Sequence, residues 1–402
     1  MNLRSHYPYF LLRSGVIHSF PSLQKNIKTD IAIIGAGISG SIMAHFLGEA
    51  GFDLVVLDRR HAGMGSTAAS TSLLQYEIDT PLYKLIQQVG ERNAVRSYAL
   101  CIESIEILHQ LARKVNLSSE FQYRPSFQFA SARDHVSNLK LEFNLRRRHN
   151  LSTLEWLTGS DIRRKFGFSA PAGILSEDGA QVDGYRLCHA LLGNAVKKYG
   201  SHIFDNTEIT QVRHRKNGVE LVTDGGKKIR AKVLIICAGY ESQRYISKRI
   251  EIRNSTYAIA SEPQPNGEFW YRNSLIWETS NPYRYLRLTS DNRIIIGGKD
   301  DKFYDPQKRD SQLPGKAKAL LKAFHELFPK LSFTTDFEWA GTFCGTRDGL
   351  PYIGSIPQRP HTFFALGFGG NGMTFSAIAA KIIRDRLKGK QSRDFEIFSF
   401  DR

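Results

Sequence analysis

Apolar positions along the 402-residue chain follow two rhythms, and their order predicts the fold. Asp30 to Ile34 is an apolar run as long as a buried strand, Ile38 to Ala50 follows at helical spacing and stops at Gly51, and Asp53 to Leu57 is a second buried run. Together they make a strand-helix-strand opening with parallel strands. The chain then changes character. Pro81 to Leu111 is helical in spacing, and Phe121 to Ala132 alternates like a half-buried strand. From about Gly179 the first pattern resumes, with a helix over Tyr185 to Tyr199, a strand over Val219 to Val222, and an unbroken apolar run from Val233 to Ala238 that suits a central parallel strand. Ile252 to Gly298 breaks into short β patterns, among them Tyr285 to Leu288 and Arg293 to Ile296. Lys316 to Leu327 reads as a basic amphipathic helix in solvent. A strand over Thr362 to Leu366, a glycine-rich turn over Gly367 to Gly372 and a helix over Met373 to Leu387 complete the pattern.

This order predicts an α/β protein of two domains, the second of α+β type. A Rossmann-like domain with a parallel central sheet is expected from residues 28-78, 180-245 and 336-390. A domain with a mixed or antiparallel sheet takes residues 79-179 and 246-335. Residues 1-27 remain as an N-terminal extension and 391-402 as a C-terminal tail.

The first turn carries the chemistry. Gly35-Ala36-Gly37-Ile38-Ser39-Gly40 fits G-x-G-x-x-G, directly after a strand and opening a helix. Gly35 permits the tight turn, Gly37 lets backbone approach a pyrophosphate, and Gly40 lets helix and strand pack closely. The helix N-terminus then offers free N–H groups and a partial positive charge to phosphate. Asp58 ends the second strand, about 20 residues beyond the glycines, where a carboxylate accepts hydrogen bonds from ribose hydroxyls and repels a 2′-phosphate. A dinucleotide other than NADP is expected.

Composition narrows the setting. With 41% hydrophobic and 23% charged residues the chain has the balance of a folded globular protein. It has no run of about 18 uncharged apolar residues that could span a bilayer. The opening segment, with Arg4 and Arg13, lacks the apolar core and cleavage site of a secretory leader. Cys101, Cys188, Cys237 and Cys344 are scattered, which indicates reduced cytoplasmic thiols without a metal site. The formal charge of +16 favours anionic partners, but the basic residues are spread along the chain, so a solvated surface is preferred over a nucleic-acid site.

Three further segments choose between nicotinamide and flavin. Gly65-Ser66-Thr67-Ala68-Ala69-Ser70 is a small-residue loop soon after Asp58. Trp339-Ala340-Gly341 precedes Gly345-Thr346-Arg347-Asp348-Gly349-Leu350-Pro351-Tyr352-Ile353-Gly354, and Gly367-Phe368-Gly369-Gly370-Asn371-Gly372-Met373-Thr374 enters the last helix. Through these segments the chain, from about residue 28 to 390, resembles the D-amino-acid-oxidase-like superfamily of flavoenzymes, which includes glycine oxidase, sarcosine oxidase and gamma-glutamylputrescine oxidase. The resemblance implies non-covalent FAD. The expected contacts are Gly35, Gly37, Ile38, Ser39, Gly40, Asp58 and Arg59 in the first unit, then Ser66, Thr67 and Ala68. Val212, Ala238, Gly239 and Gly345 follow, with Gly369, Gly370, Asn371, Gly372, Met373 and Thr374 in the closing loop. Backbone N–H groups of that loop would face the flavin pyrimidine, where negative charge develops on reduction.

The departures bear on substrate. The two places where glycine oxidase carries arginines that grip a substrate carboxylate hold Phe343 and Gly370 here, so the usual clamp is missing and an amine fits better than a simple α-amino acid. Arg284 and Arg287 could anchor an anion by another route or lie on the surface. The position of the flavin-linking cysteine in the sarcosine-oxidase branch is Gly341, and Cys344 is out of register. Lys299, Phe343 and Arg347 are the candidates beside the flavin, Lys299 with the alternative of pairing to Asp300 or Asp301. The implied reaction is oxidation of a C–N bond in a small amine or amino-acid derivative by hydride transfer to flavin N5, with hydrolysis of the imine and electrons passing to oxygen or another carrier. The alternatives are C–O oxidation of a 2-hydroxy acid or sugar acid, action on a modified tRNA base, and FAD as a redox-silent structural ligand.

Overall fold

The computed structural model describes residues 2-5, 7-265 and 267-402. Its first sheet grows from the predicted opening. Strand Ile27–Ile34 lies between strands Leu54–Leu57 and Lys228–Ile236, parallel to both, and strand His202–Phe204 extends the sheet beyond Leu54–Leu57. Strand Lys228–Ile236 is shared along its length. Its first half pairs antiparallel with Gly218–Thr223, in turn paired with Ile209–Arg215, and its second half pairs parallel with Thr362–Leu366. Helix Ile38–Glu49 is buried along almost its whole length, packed between the sheet and helices Gly184–Tyr199 and Gly372–Leu387, which explains its low polarity.

The second sheet has eight strands, with Thr335–Gly345 at one edge and Leu154–Thr158 at the other, and all its pairings but one are antiparallel. Thr335–Gly345 pairs with Ile252–Ser261, so the start of the third segment assigned to the cofactor domain hydrogen-bonds across the other sheet. A small third sheet of Leu73–Gln75, Gly179–Gln181 and Gln122–Tyr123 lies where the chain passes from one unit to the other.

Three elements differ from their sequence pattern. The Phe121 to Ala132 run is two strands, Gln122–Tyr123 and Ser126–Phe129, in different sheets; Pro125 stands between them and has no N–H for a ladder. The Lys316 to Leu327 helix begins ten residues earlier, at Pro306, where the Asp305 carboxylate accepts from Lys308 N at 3.0 Å. Its stripe of Leu313, Leu320, Phe324 and Leu327 is buried on the second sheet, so only its basic face is solvated. The N-terminal extension is docked. Leu3 O accepts from Thr342 N at 2.8 Å, Ser5 N donates to Ala340 O at 3.0 Å, and Tyr9 and Phe10 of helix Tyr9–Ser14 are buried near Trp339.

Candidate active site

One continuous cleft runs from the end of the first parallel strands to the face of the second sheet. At its first end the glycine turn leaves no room for side chains. A Cβ on Gly35 would lie 2.3 Å from Cys237 O, and one on Gly40 would lie 1.8 Å from Gly35 O. Gly35 also has φ +110°, open to glycine and strained for any other residue. Asp58 binds the turn to the second strand: its carboxylate accepts from Ala36 N at 2.8 Å and Arg60 N at 2.9 Å. Desolvation pushes this carboxyl up to about 6, with the two N–H donors opposing the shift. Thr67 Oγ1 accepts from Ile38 N at 3.0 Å, so the small-residue loop is tied to the first turn of helix Ile38–Glu49.

The closing loop reaches the same cleft from the far end of the chain. Asn371 is buried and donates through Nδ2 to Gln75 O and Glu77 O, each at 3.0 Å. Gly369 N donates to Cys344 O at 3.1 Å and Gly370 N to Asp79 Oδ2 at 2.9 Å. The loop therefore joins three distant segments around one space.

Most residues expected around a cofactor line this cleft. Gly35, Gly37, Ile38, Ser39, Asp58 and Arg59 do so at its first end, with Ser66, Thr67, Ala238 and Gly239 beside them; Phe343 and Gly369 to Met373 line the other part. Gly40, Ala68, Gly345 and Thr374 are not in this wall. Val212 lies elsewhere, in the wall of a separate small cavity with His214 and Phe364, and Ile209, three residues earlier on its strand, reaches the cleft in its place. Lys299 and Arg347 are not in the cleft wall, and Arg347 is exposed. Asp300, next to Lys299, is in the wall. The glycine cradle, the small-residue loop and the length of the cleft fit an extended dinucleotide.

Residues 30-386 match the family model described as FAD-dependent oxidoreductase, DAO. The chain belongs to the DAO family of FAD-dependent oxidoreductases. Among curated relatives, gamma-glutamylputrescine oxidoreductase of Escherichia coli K12 is 24% identical over 97% of this chain and 91% of its own length. Glycine oxidase of Geobacillus kaustophilus is 23% identical over 93% and 97%. The crystal structure of that glycine oxidase superposes with TM-score 0.74 at 20% identity over 92% of this chain and 98% of its own. L-proline dehydrogenase from P. horikoshii gives TM-score 0.76 at 19% identity over 93% and 97%, which shows a shared fold. Among the described residues no helix is long and apolar enough to cross a membrane.

In this DAO-family chain most residues lining the second end of the cleft were missed by sequence reading. Trp277 and Tyr285 from the second sheet and Tyr283 from the loop between their strands line the cleft with Asp79, Asp300 and Thr256. Tyr283 OH donates to Asp79 Oδ1 at 2.9 Å. A Cβ on Gly297 would meet the Tyr285 ring at 2.3 Å, so Gly297 leaves the space in which that ring lies. The two arginines considered as anion anchors are committed to structure. Arg284 pairs with Glu278 through two contacts of 2.6 Å. Arg287 is buried and donates through one nitrogen to the carbonyls of Thr71, Ser72 and Val182 at 2.9, 2.7 and 3.1 Å. Cys344 is buried and burial raises its thiol well above the usual range, which leaves it a poor nucleophile.

Proposed function

We propose that this enzyme oxidises a C–N bond of a small amine or amino-acid derivative, with FAD held non-covalently along the cleft. The observation that carries the reading is the makeup of the cleft's second end. It is walled by Trp277, Tyr283, Tyr285 and Phe343, and the arginines of the cleft, Arg59, Arg60 and Arg244, are grouped with Asp58 and Glu241 in the nucleotide half. The names of the relatives, a putrescine-derived amine oxidoreductase and glycine oxidases, support the same bond.

Gly35, Gly37 and the helix they open would take the pyrophosphate, Asp58 the adenosine ribose, and the 369-373 loop the flavin end. When bound, FAD supplies the two-electron acceptor for the substrate C–N bond, and water hydrolyses the product imine. The protein's own part is orientation and exclusion of solvent. The aromatic wall presses the amine's carbon chain into place, and the Gly370–Asp79–Tyr283 hydrogen bonds fix that wall. Four buried, unpaired cysteines support a reducing, cytoplasmic setting. A C–O reaction on a 2-hydroxy acid is disfavoured because, among the described residues, no cation stands beside the aromatic wall to hold its carboxylate.

The test is anaerobic mixing of the yellow holoenzyme with primary and secondary amines, amino acids and 2-hydroxy acids, following flavin absorbance. Bleaching by one or more amine substrates is expected. Bleaching by hydroxy acids alone would overturn the reading.

A further inference from the structure

The second end of the cleft carries three acidic side chains. Asp79, Asp300 and Glu77 all line it. Asp79 opens onto the cleft, and its two oxygens are each engaged once, by Gly370 N and by Tyr283 OH. Asp300 is half-buried, and its Oδ1 is buried without a hydrogen-bond partner. Glu77 is only 4% exposed; Ser176 donates to its Oε1 at 2.9 Å, Arg146 lies 3.6 Å from the same oxygen, and Oε2 has no partner. Desolvation pushes the Asp300 carboxyl up to about 6 and raises those of Asp79 and Glu77, with Asp79 adding to the effect on Asp300.

Two unpartnered, desolvated carboxylate oxygens in a ligand cleft are costly unless a donor arrives with the ligand. The aromatic rings define which donor. Trp277 and Tyr283 stand edge to face at 6.0 Å, and Tyr283 and Tyr285 have centroids 6.0 Å apart, so three rings share the cleft wall with the acids. Rings and carboxylates together favour an ammonium group over a neutral amide or an anion. The reacting nitrogen cannot be that ammonium at the moment of oxidation, because its lone pair must be free to form the imine. A second nitrogen, one that keeps its charge throughout, satisfies both demands.

We propose that the substrate is an aliphatic amine carrying a second, protonated amino group and no free carboxylate, and that Asp300 is the specificity-determining residue that pairs with this second cation while Asp79 and the aromatic wall flank it. This rests on the C–N reading above and adds the charge of the part of the substrate that does not react. Lys316 leaves Asp300 available: its Nζ donates to Asp301 Oδ1 at 2.7 Å and to Lys299 O at 2.8 Å, and so serves the neighbouring acid.

The experiment measures dissociation constants of the oxidised, anaerobic holoenzyme for three probes of one chain length, by the shift each causes in the flavin spectrum and by calorimetry. The probes are 1,4-diaminobutane, 1-aminobutane and 4-aminobutanoate. One added charge-assisted contact predicts that the diamine binds about tenfold more tightly than the monoamine, and 4-aminobutanoate more weakly than either. D300N is expected to shrink the diamine's advantage to less than about threefold, and D300E to restore part of it, with bound FAD as the check of folding. Equal affinities for diamine and monoamine in the wild type, preference for 4-aminobutanoate, or no measurable binding of any probe would overturn the proposal whether or not D300N folds. Binding preference and flavin bleaching are separate readouts. A diamine that binds preferentially without reducing the flavin would remove the C–N reading and leave the charge assignment standing, whereas bleaching by all amines without preference would do the reverse.

Discussion

At the Asp58 end of the cleft a contiguous glycine turn brings main-chain atoms to the ligand space, whereas the Tyr285 end is built from side chains delivered by residues 79, 256, 277, 283, 285 and 300. The first end tolerates almost no added atom. A Cβ at Gly40 would stand 1.8 Å from a carbonyl oxygen, and each Asp58 carboxylate oxygen accepts one backbone N–H. The second end has unmet hydrogen-bonding capacity at Asp300 and Glu77. The contrast teaches a division of labour. In the proposed function, the cofactor is held by a tightly packed backbone turn and the substrate is selected by side chains at the other end.

The contrast can be broken from either end. Gly40→Ala is expected to weaken FAD by about 100-fold through overpacking, read as a collapsed 450-to-280 nm absorbance ratio with circular dichroism unchanged. Asp58→Asn removes charge from the acceptor of two N–H groups and should weaken FAD by about tenfold in fluorescence titration, leaving the relative affinities of amines intact. Acid should act on the other end. Asp300, with Asp79, Asp301 and Lys316 as its charged neighbours, has its carboxyl raised to about 6, so the anion that attracts an amine is present above that pH and is lost below it. For 1,4-diaminobutane, which stays doubly protonated over this range, affinity should be flat from pH 7 to 8, fall as the pH drops through about 6, and level off about tenfold weaker. Tyr283→Phe deletes the hydroxyl that donates to Asp79 and should cost amine binding about fivefold, with FAD content unchanged. Lys299→Met and Arg347→Met, outside the cleft wall, should change amine kcat/KM by less than about twofold. A large loss from either would show that the cleft closes differently around its substrate.

How much was legible follows the same division. The strand, glycine turn and helix at 27-49 and the 367-374 turn are encoded in consecutive residues, so periodicity and glycine spacing were enough to find them, while the 65-70 loop stood out through the family resemblance. The substrate end depends on which face of a strand each residue occupies, and irregularities scramble that parity. The pairing of Ile252–Ser261 with Ile294–Asp301 slips, with Ser255 opposite Asp301 but Tyr257 opposite Gly298, and Lys299 takes φ +59° within the slip. Asp300 rather than Lys299 thereby reaches the cleft. Val212 and Ile209 differ in the same way, on a strand whose register shifts between Ile209 and Gln211. Arg287 carried a further lesson, since its three carbonyl partners come from residues 71, 72 and 182 and no local pattern could have shown it to be structural. The buried stripe of the 306-327 helix was visible in its spacing, but its earlier start depended on recognising Asp305-Pro306 as a helix N-terminus.

The central claim is that FAD lies along this cleft without a covalent bond, with Gly341 where a linking cysteine would stand. It is tested most directly by denaturing the yellow purified protein in acid and separating polypeptide from supernatant. One equivalent of FAD in the supernatant and colourless protein in the pellet is the predicted result; flavin that stays with the polypeptide, or protein that is colourless from the start and remains so with added FAD, would contradict it.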